Sequence, residues 1–458
     1  MQTKPNILMI RFGTGLKLVG LVCLIVVAAL SAMSSSENRH SRSMPALQGA
    51  AAVDYLKQQG LYESLISTAA AASPFSFQAY LKASNTNAGD YFGFSVALAG
   101  DTAVIGAPRE ASSATGINGN SGDNSAELAG AVYVFVREGI FWKPQAYLKA
   151  SNTDAGDQFG YAVALSGETL VVSAPYEDSG STGINGDGSD NSVNASGAVY
   201  VFVCSGATWS QEAYIKTLNP DPLDQFGFSV AISGETIVAG AVDEDSSDTG
   251  VNGNQFDNSA SGAGAAFVFV RDGTTWSQQA YLKASNTGSG DQFGQSVGVS
   301  GNTVLVGARL EDSNATGING NGGNNQSINS GAVYVFVRSG AIWSQQAYLK
   351  ASNTGSGDQF GSAVLISGDT VIIGAPNEDS ASSADQNNNS VLDSGAVYVF
   401  TRTGTAWSQQ AYLKAPNAES TDQFGRSLAI SGSMLMVERQ MKTAAQRKST
   451  EARPIIRP

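Results

Sequence analysis

Asparagine and aspartate residues recur at fixed places in a long loop that the sequence repeats. The second copy of the loop, from Tyr176, reads YEDSGSTGINGDGSDNS, and the third, from Asp243, reads DEDSSDTGVNGNQFDNS. Carboxylate, amide and backbone carbonyl oxygens on a flexible loop are the ligands that Ca²⁺ prefers. These two copies hold the most carboxylates, so they are the predicted calcium sites. The candidate ligands are Asp178, Asn185, Asp187, Asp190, Asp243, Asp245, Asn252, Asn254 and Asp257.

The same residues have a second explanation. Asn, Asp and Gly build tight turns, because they tolerate left-handed backbone geometry and hydrogen-bond to their own backbone. The strict EF-hand spacing is absent from the loops. Asn also dominates where a calcium loop would carry Asp, which lowers the negative charge available to a cation. The sequence therefore leaves calcium binding and plain turn formation as open alternatives.

The loops belong to a repeat that fills most of the chain. A Phe-Gly pair begins at Phe92, Phe159, Phe226, Phe293, Phe360 and Phe424, so the spacing is 67 residues four times and then 64. The five Trp residues keep the same register. Each repeat contains four short runs of β-branched and aromatic residues bounded by Gly, Asn or Pro, which is typical of strands. Four strands per repeat at such a period indicate a blade of a β-propeller.

The predicted fold is therefore all-β, a propeller with five complete four-stranded blades and a truncated sixth, spanning residues 78–437. The expected blades are 92–149, 159–216, 226–283, 293–350 and 360–414, with a partial blade at 424–437. Residues 78–84 repeat the QAYLKAS phrase without a blade before them, so they are a candidate closing strand. We expect the recurring Phe and Trp side chains, such as Phe159 and Trp209, to pack between neighbouring sheets.

The residues that define the repeat also carry a family resemblance. The phrase DQFG, followed by SVAISG and by GAP, resembles the FG-GAP repeat of integrin α-subunit propellers and of many secreted microbial proteins. GAP is intact at 106–108 and 374–376, and it is altered in the other repeats. The resemblance covers residues 78 to about 437. It implies a β-propeller used for binding, commonly with calcium in the blade loops.

Composition excludes several kinds of site. The chain has two Cys and one His, so a CxxC site and a multi-His zinc site are excluded. The one His is His40, near the N-terminus, so the repeats hold no His for a catalytic triad. The net charge is −13; residues 1–77 carry +3 and residues 438–458 carry +4, which leaves −20 on the body. An acidic body argues against nucleic acid as a partner. Similar residues are spread over the repeats instead of unlike residues meeting at one place, so no enzyme is predicted.

The N-terminus resembles an export signal. Arg11 and Lys17 precede the apolar run LVGLVCLIVVAALSAM, which is followed by small polar residues. Residues 1–33 are therefore predicted to be a signal peptide or a membrane anchor, and any membrane contact would be made through this segment. Residues 34–77 are predicted to be a linker with a short helix. The expected location is secreted or on the cell surface.

The last 21 residues, 438–458, do not continue the repeat. Shifting the codons that can encode this segment by one frame allows Gly-Ala-Pro-Asn-Glu-Asp-Ser, which matches residues 374–380. The tail is therefore interpreted as the product of a frameshift near Val437, and it is given no binding role. The DNA sequence after Val437 tests this interpretation.

The predicted function is a secreted or cell-surface binding or adhesion module that takes a protein or a glycan on its loop face and is stabilised by calcium. Two alternatives stay open. The chain could be a structural module of an envelope assembly, or a propeller enzyme that acts on glycans through paired carboxylates.

Overall fold

The computed structural model of the chain describes residues 8–11, 78–432 and 434–439, and these ranges contain strands and loops without a helix. The predicted linker helix, the predicted signal or anchor other than strand β1 (Leu8–Arg11), and nearly all of the tail lie outside the described residues. No helix in the part that the structure describes is long and apolar enough to cross a membrane. The chain forms two compact units, and the larger one holds Leu81–Ile430.

Five sheets of four antiparallel strands follow one another along the larger unit. The first contains β2 (Ser95–Ala99), β3 (Thr102–Ala107), β4 (Ala131–Glu138) and β5 (Phe141–Leu148). The second contains β6 (Val163–Ser166), β7 (Thr169–Ala174), β8 (Ala198–Ser205) and β9 (Thr208–Ile215). The third contains β10 (Phe226–Ser233), β11 (Thr236–Ala241), β12 (Ala265–Asp272) and β13 (Thr275–Leu282).

The fourth sheet contains β14 (Phe293–Ser300), β15 (Thr303–Ala308), β16 (Ala332–Ser339) and β17 (Ile342–Leu349). The fifth contains β18 (Ala363–Ser367), β19 (Thr370–Ala375), β20 (Ala396–Thr403) and β21 (Ala406–Leu413). The sixth repeat contributes two strands, β22 (Ser427–Ser431) and β23 (Met434–Glu438). These bounds confirm the predicted propeller of five complete blades and a truncated sixth.

Within each of the five four-stranded sheets, strands that are neighbours in sequence are neighbours in space. Tight turns join the first strand to the second and the third to the fourth, whereas the long Asn-rich loop joins the second to the third. The first strands of neighbouring sheets contact one another, as expected for blades arranged side by side. Each complete repeat is therefore a meander of four strands, and its one long connection lies at a single end of the sheet.

The hydrophobic core lies between the sheets. One cluster joins Val104, Val132 and Leu148 of the first sheet to Phe159 and Trp209 of the second, and similar clusters fill the next three interfaces. The Phe159 side chain is fully buried and meets the ring of Tyr200 edge to face, at 5.2 Å between centroids. The predicted packing role of the recurring Phe and Trp residues is confirmed.

Glycine in the FG and GAP phrases allows neighbouring blades to approach closely. A Cβ atom on Gly106 would lie 2.1 Å from the carbonyl oxygen of Gly160, in the next blade. Gly160 itself has φ +88°, a conformation that residues with a side chain rarely adopt. The FG phrase of one repeat thus fits against the GAP phrase of the previous one.

Residues 78–84 differ from the expectation of a closing strand, because the structure assigns no strand to them. Leu81 and Ala83 instead pack against the core cluster of the first sheet. Asn85 follows them and donates from Nδ2 to Glu110 Oε1 at 2.8 Å. The segment therefore covers the first blade through side-chain contacts, in the way that the end of one blade covers the next.

Candidate functional site

The long loops and the FG turns lie at the same end of each sheet. In the third sheet, Ser229 near the start of the first strand pairs with Gly240 near the end of the second, directly before the long loop. We call this end the loop face. It is formed by the FG turns and by the loops 108–130, 175–197, 242–264, 309–331 and 376–395.

A buried ion pair fixes each long loop to the last strand of its blade. In the second repeat, Lys216 Nζ lies 2.7 Å from Glu177 Oε2, and both side chains are almost fully buried. Lys216 also donates to Ser196 Oγ, at the far end of the loop, while Tyr214 and Asn152 donate to the other oxygen of Glu177. The network therefore connects both ends of the loop, the last strand and the preceding turn. Burial of an ion pair is costly unless the remaining donors and acceptors are also paired.

The same ion pair occurs in all five complete blades. The pairs are Glu110–Lys149, Glu177–Lys216, Glu244–Lys283, Glu311–Lys350 and Glu378–Lys414, with N–O distances from 2.6 to 3.1 Å. Burial lowers the pKa of each lysine, and the partner glutamate opposes that shift. The Glu three residues after the second strand is thus a structural residue in every complete repeat.

The second acid of the pair turns the other way, as expected for adjacent residues. Asp178 Oδ1 accepts a hydrogen bond from the backbone N–H of Ala195 at 2.7 Å, and Asp245 Oδ1 accepts one from Gly262 at 2.7 Å. Each of these carboxylates therefore fastens the start of its long loop to the end of the same loop.

The Asn-Gly step has a structural role in both candidate loops. Asn185 and Asn252 adopt left-handed backbone conformations, each with φ 57°. Their side-chain oxygens accept hydrogen bonds from the backbone N–H groups of Tyr214 and Tyr281, both at 2.9 Å. Asn suits such a position because it tolerates positive φ and supplies an acceptor. These two amide oxygens are already used to hold the loop against the fourth strand.

The remaining candidates in the loops cap local turns. Asp187 Oδ1 accepts from the backbone and hydroxyl of Ser189, and Asn254 Oδ1 accepts from the N–H of Phe256. Asp257 Oδ2 accepts from Ser247 and from one further serine, and these hydrogen bonds lower its pKa. In the second loop, Asp190 lies beside the turn at Asp187, and its backbone N–H donates to the carbonyl oxygen of Asp187 at 3.5 Å.

Asp243 lies apart from the other candidates of its loop. It directly follows Val242 after β11, and its Oδ2 accepts from Gln225 Nε2 at 2.8 Å. Among the residues that the structure describes, no group of three or more His, Cys, Asp or Glu side chains is placed to hold a metal ion. Apart from those of Asp190, the candidate side chains thus use oxygens in the hydrogen bonds described above, and the candidates do not converge as one set. Calcium binding stays a prediction, and the observed contacts are those of turn formation.

A polar cleft of about 400 Å³ opens beside the second loop. Asn152, Asn185, Ser189, Gln211 and Tyr214 contribute to its lining. Gln211 Nε2 donates to Ser151 Oγ, whereas the buried Oε1 atom of Gln211 has no hydrogen-bond partner in the part of the chain that the structure describes. The corresponding oxygens of Gln278, Gln345 and Gln409 are also buried and without a partner. Because this feature recurs in four repeats, it does not distinguish one blade as a site.

Aromatic side chains, in contrast, gather at the loop face of the first three repeats only. The residue that follows FG is Phe94, Tyr161 or Phe228 there, and the rings are 5.1 and 5.2 Å apart between centroids. Tyr91 stacks beside Phe94, and Tyr176 meets Tyr161 edge to face at 6.1 Å. We call these five residues the aromatic row. In the fourth to sixth repeats, the position after FG is Gln295, Ser362 and Arg426.

Sequence reasoning missed two of these features, although a signal for each was present. The Lys of every AYLK phrase and the Glu after the second strand recur at the same period, which could have indicated a pair. The aromatic row was visible as a departure from the repeat, because the residue after FG changes type between the third and fourth copies.

Comparison with known proteins agrees with this architecture. The model of the FG-GAP repeat matches the chain at residues 75–135, 142–202, 209–269, 276–336, 343–400 and 407–438. No curated protein matches the chain. Six matches that together cover most of the sequence, with one sheet to each complete repeat, show that the chain belongs to the FG-GAP repeat family.

Proposed function

We propose that this FG-GAP propeller is an exported binding module that holds a protein or a glycan on its loop face. The observation that carries the proposal is that the side chains that recur in every repeat and those that vary between repeats have different roles. Charged residues that recur in every repeat are engaged in buried networks, whereas the loop-face residues after FG differ from repeat to repeat. A ligand site needs such local differences, because identical blades would offer only identical surfaces.

We also propose that the chain does not act as an enzyme. Paired acids such as Glu244 and Asp245 were the strongest candidates for glycoside chemistry. Glu244 is buried against Lys283 and Tyr281, and Asp245 accepts from a backbone N–H in its own loop. Two carboxylates that act on one glycosidic bond must face the same substrate. These two side chains face different partners.

A structural role in a larger assembly is supported by one separate observation. Val96 and Leu98 on β2 are each 68% exposed. The equivalent residues of the third blade, Val230 and Ile232, pack against the second blade. This side of the first sheet is therefore an apolar face that another chain could cover. In that case, association of the purified protein would depend on Val96 and Leu98 and not on the loop face.

The test of the proposed function is the overlay of labelled full-length protein on arrays of oligosaccharides and of purified extracellular proteins. The expected result is saturable retention on a restricted set of spots. Parallel overlays with calcium and with EDTA examine the calcium prediction. The opposite outcome combines two results: the protein is retained on no spot, and it self-associates in a way that Val96→Ser abolishes. That outcome would favour the structural role over the binding role.

A further inference from the structure

The aromatic row is not required by the fold. The fourth and fifth blades have the same four strands and the same buried core with Gln295 and Ser362 after FG. In all three of the first repeats, a hydrogen bond from the N–H of the residue after FG closes a turn, as Phe94 N to Tyr91 O does at 3.0 Å. The same turn forms in the later repeats without an aromatic residue. The rings are therefore not needed to form the turn or to pack the blades, and we attribute them to ligand binding.

The row is accessible at the loop face. Tyr91 and Phe94 are each 50% exposed, and Tyr161, Tyr176 and Phe228 are partly exposed. Arg109 lies over the ring of Tyr91, at 4.3 Å from the centroid. Rings on three successive blades thus present a continuous apolar strip.

Polar groups border the strip where the aromatic residues stop. Gln295 occupies the position after FG in the fourth blade, and its Oε1 atom is buried without a hydrogen-bond partner in the described residues. An unpaired buried acceptor is costly. The Oε1 atom is closed to solvent in the unbound chain, so the Gln295 side chain must rotate toward the loop face before a ligand hydroxyl donates to it. Asp243, which holds in the third repeat the position of Tyr176 in the second, adds a half-buried carboxylate bonded to Gln225.

This combination selects the chemistry of the ligand. Aromatic faces carry partial negative charge and attract the partly positive C–H groups of an apolar surface. Amide and carboxylate oxygens next to them accept hydrogen bonds from hydroxyl groups. A pyranose ring offers both, with C–H groups on its face and hydroxyls at its edge. A nucleic acid would also stack, but the acidic body repels its phosphates.

Resting on the proposed binding function, we infer that the aromatic row is a carbohydrate-binding subsite. Neutral pyranose units stack on Phe94, Tyr161 and Phe228, and a sugar hydroxyl donates to Gln295 Oε1. The three rings follow one another on successive blades, so a chain of linked sugars fits the row better than a single sugar.

The test is binding of the full-length protein to cellohexaose, mannohexaose and chitohexaose, measured by titration calorimetry. The expected result is binding to at least one of them that Tyr161→Ala weakens at least tenfold. Phe256→Ala is the matched control, because Phe256 is an exposed aromatic residue of the third long loop outside the row. It should leave the affinity unchanged. A melting temperature for each variant checks that the fold is intact.

Gln295→Leu separates a ligand contact from a structural role. Removing an unpaired buried oxygen should raise the melting temperature, yet sugar affinity should fall. If Tyr161→Ala leaves glycan binding unchanged, the aromatic row is not the carbohydrate-binding subsite, whereas the proposed binding function still holds. Retention of a polypeptide that Tyr161→Ala abolishes, without any sugar binding, would make the row a protein site and overturn the inference. Absence of binding to every sugar and every array spot would overturn both proposals.

Discussion

At the scale of single residues, the repeats serve as internal controls for one another. Asn152 Oδ1 accepts from the hydroxyl of Tyr200 at 2.8 Å, and Asn286 and Asn353 are bonded in the same way by Tyr334 and Tyr398. The third blade has Phe267 at this position. As a consequence, the buried Oδ1 atom of Asn219 has no hydrogen-bond partner among the described residues.

Phe267→Tyr should therefore stabilise the protein by about 1 kcal/mol, the usual net value of an intramolecular hydrogen bond. The added hydroxyl would donate to Asn219 Oδ1. Tyr200→Phe is the reverse change and should destabilise the protein by about 1–3 kcal/mol, because it leaves Asn152 Oδ1 unpaired. Denaturant unfolding of both variants checks the pair. Equal effects in the same direction would show that the Tyr–Asn hydrogen bond does not control stability.

A second residue-scale prediction concerns the Asp that precedes the Gln-Phe-Gly phrase. Burial raises the pKa of Asp157 to about 8, and the nearby Glu177 adds to the shift. The folded state thus keeps a proton that the unfolded chain loses near pH 4. The stability contributed by this group is complete below pH 4 and is lost as the pH rises toward 8.

The melting temperature should accordingly fall between pH 5 and pH 8 in the unmodified protein. The Asn side chain of Asp157→Asn cannot ionise, so the melting temperature of this variant should fall less over the same range. At pH 8 its free energy of unfolding should lose less than that of the unmodified protein, by on the order of 1 kcal/mol or more. Asp224 and Asp358 have pKa values raised in the same way and leave part of the slope in place. Identical pH profiles for the two proteins would mean that Asp157 ionises normally when folded.

At the scale of elements, the buried ion pair fixes both ends of the long loop to the last strand of the blade. Lys216→Met would leave Glu177 buried without its cation, and removal of one partner from such a pair costs about 3–5 kcal/mol. The double variant Lys216→Met with Glu177→Gln removes both charges and should recover much of that loss. Urea unfolding of the single and double variants measures this. A single variant as stable as the unmodified protein would show that the pair is not what fixes the loop.

The strands could be predicted from the sequence because each one repeats a pattern of alternating and buried residues bounded by Gly. The paths of the loops could not, since their side chains bond to partners far along the chain. Asn185 illustrates this: the Asn-Gly step indicates a turn, but nothing local shows that its oxygen meets the N–H of Tyr214. Glu177 and Asp178 are adjacent acids with opposite directions, which only the packed blade decides. The site was therefore less predictable than the sheets that carry it.

At the scale of the whole molecule, the propeller consists of a repeated frame and a variable loop face. The buried ion pairs and the Phe and Trp clusters form the frame. The aromatic row, Asp243 and Gln295 belong to the face. If this division is correct, the ligand binds at the loop face and does not contact the opposite ends of the sheets.

Blocking each face in turn tests this claim most directly. In a background with Cys23→Ser and Cys204→Ser, Ser192→Cys places a thiol in the second long loop. Ala207→Cys places one in the turn between β8 and β9, at the opposite end of the same blade. Both positions are exposed. After coupling of polyethylene glycol, retention on the array spots that hold the unmodified protein should fall at least tenfold for position 192 and stay unchanged for position 207. Loss of retention at position 207 alone, or at neither position, would contradict the account.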